Sequence, residues 1–164
     1  MSSIKQKLTS LKSALDGKVE NAPCYIASDR IHAYEILKNK PGICKIAVGF
    51  MGGQARSNFA GGDITGREKQ TLYGVISRGR GLGTSRSDNL IYGASGGSPL
   101  FDLAEQMRDI MREIQFDPTT DERTDYIGTE EWNPGKYGID AYEVKIWVGT
   151  QLPMGGPVQS QTVV

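Results

Sequence analysis

From Pro99 to Phe116, apolar residues recur at helical spacing. Leu100, Leu103, Ala104, Met107, Ile110, Met111 and Ile114 form one continuous stripe. Ser98 is placed to cap this helix and Pro99 to open it, and Asp117-Pro118 stops it. Asp102 suits its positive end. A second stripe, Ile4, Leu8, Leu11 and Leu15, predicts a helix over 3–16, capped by Ser2 or Ser3 and ended by Gly17. Lys5, Lys7 and Lys12 fall off that stripe and are expected to face water. Ser28-Asp29 predicts a short helix from Arg30 to Lys38, with Ile31, Tyr34 and Leu37 inward and Pro41-Gly42 ending it.

Alternation at period two marks the strands. Cys44, Ile46, Val48 and Phe50 share one face of a strand over 43–50, with Lys45 on the other. Leu72, Gly74 and Ile76 alternate with Tyr73 and Val75 over 70–77. Tyr142, Val144, Ile146 and Val148 alternate with Glu143, Lys145 and Trp147 over 139–149. Shorter strands are expected at 24–27, at Leu90-Ile-Tyr92 and over 125–132. Helices and strands do not interleave regularly. The pattern therefore predicts an α+β fold with a mainly antiparallel sheet, one face covered by the helices at 3–16 and 99–116.

Between these elements lie two long Gly-rich loops. The linker 51–69 holds five glycines with Arg56 and Arg67, and its length suggests an arm or long hairpin. Residues 79–97 hold six glycines and three serines. The chain reads as a single domain over 1–152, followed by a flexible polar tail over 153–164. At 164 residues it is long enough to bury a sizeable core without disulfide or metal. Trp147, on the polar face of the last strand, points to a covering loop or a partner surface.

The net charge is zero, with 19 basic and 19 acidic residues. This gives no overall field to gather nucleic acid or an anionic membrane, and no sequence-specific nucleic-acid partner is expected. The charge is unevenly divided. Residues 1–82 hold 13 basic and 6 acidic residues (+7), and residues 83–164 hold 6 and 13 (−7). Such a bipolar subunit is suited to meeting copies of itself head to tail. The expected contact sets Arg56, Arg67, Arg78 and Arg80 against Asp121, Glu122 and Asp125 of the adjacent copy, with Trp147 supplying apolar area.

Candidate chemistry is sparse. No apolar run is long enough to span a membrane. The first residues lack the apolar core of a signal peptide. Cys24 and Cys44 match no zinc or redox spacing and read as reduced thiols. His32 and Glu35 make at most two ligands, and the acidic stretch 117–131 lacks calcium-loop spacing. Neither a metal nor a cofactor is expected. Gly93-Ala94-Ser95-Gly96-Gly97 matches a nucleophile-elbow pattern before a helix, which leaves a small serine hydrolase using Ser95 as an alternative. His32, however, precedes Ser95, the reverse of the chain order that fold requires, so the chain is read as a non-enzyme.

An N-terminal helix, a strand pair with a long insertion, a strong helix and two closing strands resembles the tail terminator (tail completion) proteins of tailed bacteriophages. The resemblance rests on residues 43–50, 72–77, 99–116 and 141–148 and spans about 3–150. It implies a structural subunit of the virion, assembled in the host cytoplasm, that forms a hexameric ring at the head-proximal end of the tail. Its implied partners are the tail tube protein, whose polymerisation the ring stops, and the head connector. A head–tail connector or neck protein, also a ring of small subunits, is the alternative within this class.

Overall fold

The computed structural model describes residues 3–55, 68–93, 97–119, 122–132 and 138–150. In chain order these form α1 (Ile4–Leu15), β1 (Cys24–Ile26), α2 (Arg30–Asn39), β2 (Cys44–Ala55) and β3 (Glu68–Arg78). A π-helical turn (Asp88–Tyr92), α3 (Leu100–Glu113), β4 (Glu122–Glu131) and β5 (Ala141–Thr150) follow. The strands make one sheet in the order β1-β2-β3-β5-β4. All pairings are antiparallel except β1 with β2, which is parallel. The fold is α+β.

The period-two patterns set the two faces. Ile46, Val48, Leu72, Ile76, Val144, Ile146 and Val148 face α1 and α3 and are buried against Leu11, Leu15, Leu103, Met107 and Met111. Methionines 107 and 111 sit over Gly74, where an added Cβ would lie 3.0 Å from Met111 Sδ. A parallel β1–β2 pair needs a crossover. α2 supplies it and packs on the opposite face, where Ala33, Ile36 and Leu37 meet Ala47, Tyr73, Val75 and Trp132. The sheet is therefore covered on both faces, not on one. The inward face of α2 also differs from expectation: Ile31 is 73% exposed, because the i, i+3, i+4 set Ala33, Ile36 and Leu37 is the one that meets the sheet.

Helix ends differ in how they are closed. α1 starts with a capping box in which Ser3 Oγ accepts from Gln6 N–H and Gln6 Oε1 accepts from Ser3 N–H. Asp29 caps α2 through His32 N–H. The expected Ser98 cap of α3 is not used: Pro99 occupies the cap position without a side-chain bond. Lys7, expected in water, is fully buried and ion-paired with Glu122 at 3.1 Å. β2 and β3 stay paired out to Ala55↔Glu68, well past the reach of β1, so the expected long hairpin continues the sheet to that point. The rest of that arm and the expected tail 153–164 lie outside the described residues.

Candidate interaction site

Asp140, just before β5, is the hub of a polar network at the end of the sheet where β2 begins. Its side chain is 2% exposed. It accepts from Arg80 Nε at 2.7 Å and Nη2 at 3.0 Å, from Arg86 Nε at 3.2 Å and from Asn89 Nδ2 at 2.9 Å. Asn89, fully buried, also donates to the Arg78 carbonyl at 2.8 Å and accepts from Arg78 Nη1 at 2.6 Å. Arg86 reaches on to Glu131. Burial pushes the Asp140 carboxyl up, but the hydrogen bonds from Arg80 and Asn89 and the arginine charges outweigh it and hold it below the usual aspartate value.

This network corrects one expectation. The described part of the Gly-rich stretch, 79 to 93, is fastened to the sheet through Arg80, Arg86 and Asn89. The Leu90-Ile-Tyr92 island is helical, not a strand, because Asn89 must turn inward to reach Asp140 and the Arg78 carbonyl. Close packing completes the anchor: a Cβ on Gly97 would fall 3.0 Å from Arg78 Cζ.

The expected interface residues separate. Arg78 is buried and bonded to Asn89, and Glu122 is buried against Lys7, so both are turned into their own subunit. Arg80, half-exposed, is engaged by Asp140. Arg56, Arg67 and Asp121 lie outside the described residues, as does Ser95. Asp125 and Trp147 are brought together as register partners of β4 and β5. Trp147 is 37% exposed, with Lys69 Nζ 3.6 Å from its ring centre. Both line an open hollow of about 740 Å³ with Arg112, Thr124, Tyr126 and Ile127.

The two sheet edges are unlike. Among the described residues, no strand pairs with the outer edge of β4. On the other side β1 pairs with β2 only from Ile46 to Val48, and no described strand pairs with that side of β2 from Gly49 to Ala55. Each edge carries a bulge, skipping Met51 in β2 and Ile127 in β4, and both side chains are exposed. Ile43, Leu82, Ile91 and Tyr92 are exposed on and beside the segment that Asp140 fastens.

A cluster that pattern reading missed lies under α2. Arg30 pairs with buried Glu143 at 2.7 Å and sits 5.5 Å from the Tyr73 ring centre and 5.8 Å from that of Trp132. Nothing local marks it, since its members come from four separate segments. Its sequence trace is Glu143, an acid flanked by Tyr142 and Val144 in the last strand.

For chemistry, His32 Nδ1 accepts the Ser28 backbone N–H at 2.9 Å. Burial, aided by Asp16, pushes the Cys24 thiol up to about 12. Burial and Glu20 likewise raise Cys44, so neither favours the reactive thiolate at neutral pH. Comparisons of this chain with protein-family models and with curated proteins find no match.

Proposed function

We propose that this chain is a structural, ring-forming subunit of the tail terminator kind. The observation that carries the reading is the pair of unlike sheet edges, unpaired among the described residues, each with an exposed apolar side chain at its bulge. An open edge recruits another strand or a covering surface. Two different edges on one subunit favour heterologous contact between copies, and such contacts close into rings when the rotation permits. Trp147, Tyr126 and Ile127 supply apolar area at one edge, and Met51 at the other. The helix, strand pair, helix and two strands on which the phage resemblance rests correspond to α1, β2, β3, α3, β4 and β5, with β1 and α2 set between α1 and β2. The exposed Ile43, Leu82 and Tyr92 offer a further surface for the tube or the head connector.

Native mass spectrometry of the purified chain tests this directly. A closed species of six copies, able to bind and cap purified tail tubes in electron micrographs, is the expected result. A monomer at tens of micromolar, inert towards tubes, would refute it. A ring that binds connectors but not tubes would move the assignment to the neck.

A further inference from the structure

Lys45 and Ser77 face each other across β2 and β3 as register partners, on the side of the sheet that α2 covers. Cross-strand partners hold their Cβ atoms about 5 Å apart. Lys45 is only 8% exposed, yet among the described residues its ammonium has no carboxylate within ion-pair distance. Its hydrogen bond is to a neutral acceptor, the Lys40 carbonyl at 2.7 Å. That leaves unused donor capacity on a group with three N–H bonds. Ser77 Oγ, on a residue 4% exposed, has no hydrogen-bond partner among the described residues. A buried cation without a counter-charge and a buried hydroxyl without a partner are both costly.

These groups do not border solid core. They line a cavity of about 440 Å³ with Leu37, Arg80, Ile139 and Asp140. Its rim is exposed at Arg80 and Gly138, so it is open to solvent. Arg80 and Arg86 are already matched by Asp140 and Glu131. Arg78, which also lines the cavity, is bonded to Asn89, and Lys45 is a cation of this site with no carboxylate partner among the described residues. Burial lowers its pKa, as expected where no anion answers it.

We propose that this cavity is an oxyanion site that takes the phosphate or carboxylate group of a small ligand. Lys45 Nζ supplies the charge, Ser77 Oγ a hydrogen bond, and Leu37 and Ile139 an apolar wall for the ligand's remainder. The volume lies within the range of small-ligand pockets. The site stands apart from both sheet edges, so it holds whether or not the chain forms a ring.

The test is a titration of the whole chain with inorganic phosphate and with acetate, followed through the amide resonances of Lys45, Ser77 and Gly79. Sodium chloride at matched ionic strength is the control. Saturable shifts are expected with at least one oxyanion. The dissociation constant should rise tenfold or more in Lys45→Met and severalfold in Ser77→Ala. Ser77→Asp places a carboxylate beside Lys45 and should abolish binding while leaving the melting temperature equal or higher. Shifts no larger than those from chloride would overturn the proposal. So would undiminished binding in a folded Lys45→Met or Ser77→Asp variant.

Discussion

Lys7 of α1 and Glu122 of β4 meet at 3.1 Å, with side chains 0% and 1% exposed. The pair ties the first helix of the chain to an edge strand far along it. Removing one partner strands a buried charge, so Lys7→Met should destabilise by about 3–5 kcal/mol. Lys7→Met combined with Glu122→Leu should recover most of that loss, since replacing a buried pair by apolar groups is close to neutral. Denaturant unfolding of the two single variants and the double variant measures the coupling. Additive losses would show that the two charges do not depend on each other.

The network around Asp140 has a pH signature. Its folded pKa lies below the ordinary 3.8. Its contribution is therefore complete above about pH 4 and is lost as pH falls through the lower folded value. Asp140→Asn should cost roughly 1–3 kcal/mol at neutral pH, a figure kept modest because its arginine partners are nearly half exposed. The same change should flatten the acid limb of the stability curve. An unchanged acid limb in the variant would mean that other carboxylates govern it.

Gly49 and Tyr73 form a second cross-strand dependence. They are register partners, and a Cβ on Gly49 would lie 2.5 Å from Tyr73 Cζ. Gly49→Ala should therefore destabilise by about 1–3 kcal/mol through overpacking. Combining it with Tyr73→Val should make the two effects strongly non-additive. Thermal melts of the four proteins decide the matter.

Two isoleucine-sized side chains should behave oppositely. Leu103 is fully buried between α3 and the sheet, and Leu103→Ala should cost about 2–5 kcal/mol. Ile31→Ala, at an exposed position, should stay within about 0.5 kcal/mol. A large loss at Ile31 in dilute monomer would place a missing covering element over α2.

At the β4 edge, Ile127→Lys puts a charge on the bulge. Edge charges block strand addition, so this variant should remain folded and shift any ring towards monomer in native mass spectra. Reversing the exposed Asp125 to Lys should weaken assembly more at low salt than at high salt. Assembly indifferent to both changes would place the contact elsewhere.

The strands β2, β3 and β5 and the helix α3 were legible because each repeats its apolar residues at one period over many positions. α2 was harder. Ile31 fits a stripe on paper, but one turn of helix decides between it and Ala33, and small residues near the sheet leave little trace in an apolar pattern. Lys7 was assigned to water because its partner, Glu122, is supplied by tertiary structure and not by local spacing. Asp140 and Asn89 stayed hidden for the same reason. Their sequence trace is Arg78, Arg80 and Arg86 crowding one segment with an asparagine, and no fixed spacing links that segment to the carboxylate. Of the expected interface residues, Asp125 and Trp147 meet because alternation put them on one face of adjacent strands. Arg78 and Glu122 looked like surface charges only while the buried Asn89 and Lys7 were unknown.

The strand order has a consequence for how the chain reaches its native state. β3 is central, with its neighbour in sequence, β2, on one side and β5 on the other. β2 and β3 are close in sequence and can pair early, but β5 can dock only after the intervening chain, α3 included, has been gathered in. Closing so long a loop is entropically costly before any contact repays it, and such topologies fold slowly. Until β5 arrives, the far edge of β3 keeps its backbone donors and acceptors unpaired. The nascent sheet is then most open to joining the wrong chain, and the slow docking of β5 prolongs that exposure.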